Sequence, residues 1–183
     1  LGAVHGHCVI AEQQTDGRGR QGKKFHSPNN QGVYVSVIIR PKLSVEYALT
    51  ITSCAAVAVA EAIEKVSGLE CGIKWVNDIY ANGKKLCGIL TEAAIDVEQG
   101  GLEYAVIGIG INVSNTLFPK ELENIATSIR AETGSGVNRS QLIAEVLNCL
   151  ERRLNTITSQ DFIEEYRRRS ILIGKTIVVT QGD

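Results

Sequence analysis

The stretch IKWVNDIYANGKKLCGILTEAAIDVEQGGLEYAVIGIGINV, residues 73–113, decides the fold. Asn82-Gly83 separates two apolar runs in it and favours a type I′ turn, because both central residues of that turn need positive φ. A third apolar run follows a pair of glycines. The sequence therefore predicts an antiparallel meander of three strands, at residues 73–81, 84–93 and 102–113.

More strands are predicted outside the meander. Residues 33–39 are β-branched and aromatic, as in a largely buried strand, and residues 8–12 form a shorter apolar run. Residues 171–180 return to strand character around Gly174, which predicts the start of a second, small β unit.

Three helices are predicted as well. Ser44 is expected to cap a long, mostly buried helix that continues to about Val66. Ser140 is expected to cap an amphipathic helix that covers a sheet, and residues 162–169 form a third helical segment. The predicted fold class is α+β, with helices packed on a mixed, mainly antiparallel sheet.

Composition and charge limit the classes of function that the chain can have. The 183 residues are 44% hydrophobic and 21% charged, as in a globular domain, and the net charge of −1 gives no overall attraction to nucleic acid or membranes. Five scattered cysteines without a C-x-x-C pair indicate a reduced, cytoplasmic protein. His5-x-His7-Cys8 lacks a second pair of ligands, so no metal site is predicted.

The segment GRGRQGKK, residues 17–24, holds three glycines and four cations. Glycine allows the backbone to approach a ligand closely, and arginine matches carboxylate or phosphate oxygens. A loop that grips an anion and a solvated basic loop are both consistent with it. It is neither a Walker A loop nor a dinucleotide-binding glycine motif.

Polar residues also interrupt the predicted strands. Lys74 and Asp78 flank Asn77 in a run that should be central, where a structural ion pair between the two is the simpler interpretation. Lys85 follows the turn and can face the same side as residues of the preceding strand, although hairpin lysines are usually solvated. Alternation of glycine with isoleucine at residues 108–112 leaves one strand face bare, either for a ligand or for a packed helix.

Four segments in this order resemble the biotin protein ligases: AEQQTDGRGRQG at residues 11–22, KWVND at 74–78, KLCGILTE at 85–92 and GIGIN at 108–112. Weaker likeness is present at residues 126–128 and 167–174. The resemblance implies a domain of the class II aminoacyl-tRNA synthetase and biotin ligase fold at residues 1–170, with its upstream part missing. Residues 171–183 would begin a small SH3-like β-barrel.

The resemblance also implies an activity. Biotin and ATP, with Mg²⁺ as a co-substrate, would form biotinyl-5′-AMP, and biotin would pass to a lysine of a biotin carboxyl carrier protein such as that of acetyl-CoA carboxylase. Lys85, Arg18 and Arg20 would be catalytic. The biotin site would comprise Gln14, Arg18, Gly19, Arg20, Lys85 and Gly88; the adenylate site Lys23, Phe25, Asn77, Asn112 and Ala126; and the supporting residues Lys74 and Asp78.

Three departures from the family pattern stand out. Val76 replaces the usual proline, a change expected to alter strand geometry little. Phe25 takes a position where family members often have tryptophan, which keeps a smaller aromatic platform for adenine. The Ser-Thr pair that binds the biotin ring in the family would lie upstream of Leu1.

Other functions remain open at this stage. A lipoate or octanoyl protein ligase of the same broad fold shares the chemistry of acyl activation. A repressor that senses biotinyl-adenylate, or a bifunctional ligase and repressor, would bind DNA through an upstream helix-turn-helix domain. An RNA-binding basic loop is disfavoured by the negative net charge and by 5% aromatic residues. Homodimerisation is implied by the resemblance alone.

Overall fold

The computed structural model of the chain describes residues 2–96, 98 and 100–178. Its centre is a six-stranded sheet with every neighbouring pair antiparallel, in the order β1-β2-β6-β5-β4-β3. The strands are β1 Cys8–Ala11, β2 Gly32–Ile39, β3 Gly72–Lys74, β4 Asp78–Ala81, β5 Lys84–Asp96 and β6 Gly101–Asn112. The α+β class predicted from the sequence is confirmed.

Five α-helices lie among the described residues: α1 Val45–Ala48, α2 Ile51–Ser67, α3 Ile129–Thr133, α4 Arg139–Asn155 and α5 Phe162–Arg169. Helix α2 contacts β3, β4 and β5 on one side and α4 and α5 on the other. Its run Cys54–Ala60 is fully buried, as expected for small apolar residues covering the whole helix surface. Within the described part of the chain, no helix combines the length and apolarity needed to cross a membrane.

The two faces of the sheet differ. Ile107, Ile109 and Ile111 of β6 are buried toward the helices, together with Val35 and Val37 of β2. Side chains alternate between faces along a strand, so Gly108 and Gly110 lie on the opposite face. Of the two interpretations of the glycine alternation, packing of a helix on the glycine face is therefore excluded, because the helices cover the isoleucine face.

The turn at Asn82-Gly83 has the predicted geometry, with φ of 46° and 80°. The predicted single strand at residues 73–81 is wrong, because the chain turns back on itself between β3 and β4 and Lys74 pairs with Asp78. Asn77 bonds to the main chain of Ile89 on β5 through both its carbonyl oxygen and its side-chain amide, which takes it out of the ladder. The Trp75–Val76 peptide bond in this turn is cis.

Both predicted helix caps need correction. Ser44 precedes only α1, and the long helix begins at Ile51; the Thr50 hydroxyl bonds to the carbonyl of Tyr47, a local bond that competes with helix continuation. The cap of α4 is Asn138, which accepts a hydrogen bond from the Gln141 amide, rather than Ser140. Asparagine and serine cap equally well, so composition alone could not separate them.

Helix α4 packs mainly on α2 and less on the sheet. The predicted third helix matches α5. Residues 171–178 form no strand: Gly174 has φ of 76° in a turn closed by the Lys175 amide and the Leu172 carbonyl. The end of the predicted strand, and the rest of the predicted β unit to residue 183, lie outside the described residues.

Candidate active site

A cavity of about 630 Å³ lies over the glycine face of the sheet. A row of residues paired across four strands runs beneath it, in which Tyr34, Gly110, Gly88 and Asp78 are successive neighbours and all but Tyr34 line the cavity. The two central members have no side chain, so the floor there is main chain. A concave site with a few convergent polar groups is the usual form of a ligand pocket.

The basic segment forms the roof. Residues 17–25 fold as a small hairpin in which Phe25 donates its amide hydrogen bond to the Gly17 carbonyl at 2.8 Å, and Gly19 donates to the Lys23 carbonyl at 2.6 Å. Gly17 is required at the base of the hairpin, since a Cβ there would lie 2.6 Å from the Phe25 carbonyl oxygen. The loop is therefore an ordered flap over the cavity.

Phe25 reaches from the flap to the floor. A Cβ on Gly110 would lie 2.5 Å from its Cε1 atom, and one on Gly88 would lie 3.3 Å from its Cε2 atom. The bare strand face is thus occupied by close approach of an aromatic ring, which is one reason for glycine inside a strand.

Lys85 enters the cavity because of a β-bulge. Ile79 pairs with Cys87 but Tyr80 pairs with Lys85, so Leu86 is an extra residue on β5. The bulge puts Lys85 and Gly88 on the same face, where strict alternation would separate them. The Lys85 Nζ atom lies 2.7 Å from Oδ1 of Asp78. The simpler interpretation of an ion pair between Lys74 and Asp78 is wrong; the Lys74 Nζ lies over the Tyr80 ring instead.

The segment at Ala126 extends the sheet beside Lys85 beyond the end of β6. The Lys85 amide donates to the Ile125 carbonyl at 2.8 Å, and the Thr127 amide donates to the Lys85 carbonyl at 2.9 Å. Asn112, buried at the end of β6, donates its side-chain amide to the Thr127 carbonyl at 2.9 Å. Three separate stretches of chain therefore meet at this end of the cavity.

The two loop arginines differ in their contacts. Arg20 donates to the Asn77 Oδ1 atom at 3.1 Å, which ties the flap to the β3–β4 turn. Arg18 is 77% exposed and lies 3.9 Å from Asp16, a weak and solvated pairing. Arg20 thus has a fixed partner in the protein, whereas Arg18 is available to a ligand.

Burial keeps two neighbouring groups protonated. It raises the pKa of Tyr34 to about 12, and the hydroxyl donates to the carbonyl of Pro28, which follows the flap in the chain, at 3.0 Å. It also raises the pKa of the Cys87 thiol well above its usual value, despite the nearby charge of Lys85. Cys87 is a packed thiol and not a nucleophile.

Every residue predicted for the site lines this one cavity: Gln14, Arg18, Gly19, Arg20, Lys23, Phe25, Lys74, Asn77, Asp78, Lys85, Gly88, Asn112 and Ala126. Their roles in binding or catalysis stay predictions. Sequence reasoning missed an apolar part of the wall, formed by Trp75, Tyr80, Phe118, Leu122 and Ile125. Trp75 offered a signal, because it is the only tryptophan of the chain and stands inside the polar segment.

Among the residues that line the cavity, six are cationic and three are acidic. This excess of positive charge in a concave site favours an anionic ligand. Within the described residues, no cluster of three or more histidine, cysteine, aspartate or glutamate side chains could hold a metal ion.

Comparison with known proteins gives the site its context. The chain is 41% identical over 162 residues to the bifunctional ligase/repressor BirA of Bacillus subtilis, covering 87% of this chain and 49% of that protein. It is 31% identical over 182 residues to the biotin--[acetyl-CoA-carboxylase] ligase of Mycobacterium tuberculosis, covering 96% and 65%. The chain thus spans roughly half to two thirds of the length of these relatives.

Among solved structures, the biotin protein ligase of Aquifex aeolicus in complex with biotin and ATP superposes with a TM-score of 0.81. It is 27% identical, and the match covers 96% of this chain and 73% of that one. The Biotin/lipoate A/B protein ligase family matches residues 3–112, which include the flap, the bulged lysine and the glycine strand. The chain therefore belongs to the biotin/lipoate A/B protein ligase family.

Proposed function

We propose that the protein is an ATP-dependent ligase that makes biotinyl-5′-AMP from biotin and ATP, then transfers biotin to a specific lysine of a biotin carboxyl carrier protein such as that of acetyl-CoA carboxylase. The observation that carries the proposal is the Lys85 ammonium held by Asp78 at the wall of a cavity roofed by the glycine-arginine flap. The names of the related ligases support the same activity.

The first half-reaction brings two anions together. A carboxylate oxygen of biotin attacks the α-phosphorus of ATP. The bond from that phosphorus to the oxygen bridging the α- and β-phosphates breaks, and pyrophosphate leaves. Lys85, Arg18 and Arg20 would offset the repulsion and stabilise the charge that builds on the phosphoryl oxygens. Asp78 keeps the lysine in position before the ligand arrives, which lowers the reorganisation needed in the reaction.

The bound groups would divide the cavity. Gln14, Gly19 and Gly88, with the three cations, would hold biotin, and Lys23, Phe25, Asn77, Asn112 and Ala126 would hold the adenylate. Mg²⁺ would enter with the nucleotide on its phosphate oxygens, as hard cations do, rather than in a site made of side chains.

In the second half-reaction the amine of the carrier lysine attacks the acyl carbon of the adenylate, AMP leaves, and an amide forms. The mixed anhydride is sensitive to water until then. A flap that closes over it protects it, and the exposed Arg18 supplies a contact that such closure can use.

Two further proposals depend on the relatives. A lipoate or octanoyl substrate is the alternative within this family, and the biotin and ATP bound to the Aquifex aeolicus relative favour biotin. The name of the Bacillus subtilis relative includes a repressor function, which supports DNA binding by a domain upstream of these residues as a proposal. Homodimerisation stays a prediction. The five free thiols agree with the predicted cytoplasmic location.

The test is to incubate the protein with biotin, ATP and Mg²⁺ and to identify the bound product by mass spectrometry. Recovery of biotinyl-5′-AMP is expected, followed by biotinylation of an added carrier domain. Parallel incubations with lipoate and octanoate separate the alternatives. Formation of lipoyl-AMP or octanoyl-AMP but no biotinyl-AMP would overturn the choice of biotin, and no adenylate from any of these acids would overturn the ligase proposal.

A further inference from the structure

Glu132, on the short helix α3, lies outside the cavity wall yet contacts both stretches of chain that enclose Lys85. Its Oε1 atom accepts a hydrogen bond from the Thr127 hydroxyl, and its Oε2 atom accepts one from the Asn82 side-chain amide at 2.5 Å. Thr127 belongs to the segment beside Lys85, and Asn82 is in the turn that leads into β5. One carboxylate therefore adds a side-chain link between the turn at Asn82 and the segment at Thr127, whose backbone already pairs with that of Lys85.

Thr127 passes this restraint directly to the cavity. Its carbonyl receives the side chain of Asn112, and its amide donates to the main-chain carbonyl of Lys85. Both Asn112 and Lys85 line the cavity. A shift of Thr127 would consequently displace an amide on one strand and the backbone of the lysine on another.

Glu132 does not make the capping hydrogen bond of its own helix. The cap of α3 is Ser128, whose hydroxyl accepts a hydrogen bond from the Ala131 amide. In a capping box the acidic residue stands three places after the cap, and here that place is Ala131. Glu132 comes one residue later and points its carboxylate at the neighbouring segments, so its contacts serve the surroundings of the cavity.

We propose that Glu132 is a positioning residue for nucleotide binding, acting through Thr127 on Asn112 and on the adjoining Ala126. The inference rests on the proposed function, in which Asn112 and Ala126 contact the adenylate. Charge-assisted hydrogen bonds of a partly buried carboxylate are stronger than neutral ones, so losing both should loosen the adenylate end of the site more than the biotin end.

The experiment measures KM for ATP, KM for biotin and kcat in biotin-dependent exchange of pyrophosphate, together with ATP affinity by calorimetry. Glu132→Ala should raise KM and Kd for ATP about tenfold while KM for biotin changes less than about threefold. Glu132→Gln should recover most of the loss, since its amide can accept from Thr127 and, after a flip of the Asn82 amide, donate to Asn82.

Glu121→Ala is the matched control, since it removes the same charge from an exposed position of the adjoining segment. Thr127→Val removes only the hydroxyl donor from a buried position at constant shape and should act in the same direction as Glu132→Ala. If thermal unfolding shows that Glu132→Ala does not fold, the ATP parameters of Thr127→Val test the proposal in its place.

Equal changes in the two KM values, or ATP parameters that stay unchanged in Thr127→Val and in any folded Glu132→Ala, would overturn the positioning role. Absence of exchange and of nucleotide binding in the unsubstituted protein would instead overturn the proposed function on which it rests.

Discussion

The side chain of Lys85 is held in place by contacts within the protein. Its ammonium is paired with Asp78, and both side chains are partly shielded from solvent, at 34% and 23% exposure. Its backbone is held from a second direction by the segment at Ala126. A lysine restrained at both ends loses little further freedom on binding, and this suits a group that must meet charge at one point.

Substitution of Lys85 by alanine should therefore abolish adenylation without unfolding the chain. The expected loss in the exchange rate is about 100-fold or more, typical for removing a preorganised charge from a transition state. Lys84→Ala is the neighbouring control, because the Lys84 ammonium donates to the Glu123 carbonyl and does not line the cavity. Full activity of a folded Lys85→Ala protein would refute the proposed role.

Arg18 should act on retention of the intermediate. Because its side chain is largely exposed and only weakly paired, its contact with the adenylate would form when the flap closes. Arg18→Ala is expected to raise the dissociation rate of biotinyl-5′-AMP about tenfold. The rate can be followed by stopped-flow release into an excess of unlabelled ligand. Lys42→Ala removes an equal charge at an exposed position, and an equal effect of the two variants would mean that only overall charge matters.

At the scale of the element, β6 combines two requirements in one strand. Isoleucines on one face complete the core, and glycines on the other admit Phe25 and the cavity. The two glycines are not equivalent. A Cβ on Gly110 would lie 2.5 Å from the Phe25 ring, whereas one on Gly108 would lie 3.5 Å from the Leu90 carbonyl oxygen, an ordinary contact.

Gly110→Ala should consequently displace Phe25 and weaken nucleotide binding about tenfold, as overpacking commonly costs 1 to 3 kcal/mol, roughly. The Gly108→Ala variant should bind nucleotide with nearly the affinity of the unsubstituted protein. Quenching of Trp75 fluorescence offers a direct measurement, since this single tryptophan lines the cavity. Equal affinities for the two variants would contradict the place assigned to the Phe25 ring.

Elements with local signals were predicted well from the sequence, and those decided by distant contacts were not. Asn82-Gly83 determines its own turn, and the apolar alternation of β6 determines its faces. The turn at residues 75–77 depends on bonds from Asn77 to β5, which no local pattern reveals. The prediction that Lys74 pairs with Asp78 was wrong for the same reason. The bulge at Leu86 brings Lys85 to Asp78 instead.

The candidate site shows the same division. Its residues were identified from family motifs, and the structure brings them to one cavity. The contribution of Glu132 could not be read from the sequence, because its two partners lie 5 and 50 residues away. Its place depends on three segments meeting, which is a property of the folded chain.

At the scale of the whole molecule, a cluster of charges joins helix α5 to the core. Arg169, with a side chain only 5% exposed, binds Glu64 of α2 through two nitrogens and also Glu165 of its own helix. It donates as well to the Cys71 carbonyl next to β3. A buried guanidinium is stabilising only while its carboxylate partners remain charged.

The cluster predicts a loss of stability in acid. Hydrogen bonds from Arg168 and then Arg169 lower the pKa of Glu165 to about 2, although partial burial opposes this. Burial would raise the pKa of Glu64, but bonds from Arg169 and the Cys71 amide lower it below its usual value. Both folded-state values lie below those of the unfolded chain, so the stabilisation is complete above the usual glutamate pKa and is lost as pH falls toward 2.

Urea unfolding between pH 6 and pH 2.5 should show the free energy of unfolding decreasing by on the order of 1 to 2 kcal/mol from this cluster, allowing for solvent screening of Glu165. Glu165→Gln should make the free energy of unfolding depend less on pH over this range. Glu164→Gln, which alters a side chain 81% exposed, should leave the slope unchanged. A slope that is the same in all three proteins would show that other carboxylates govern acid unfolding.

The glycine floor has a consequence for how this protein can diverge from its relatives. Between Gly110 and Gly88 the sheet itself presents only peptide groups, against which the Phe25 ring lies. Exchange of one side chain for another cannot reshape such a surface without adding bulk to it. Evolution of a new preference for the bound acid or nucleotide would therefore have to proceed through the flap and the cavity rim, where most changes leave the sheet intact.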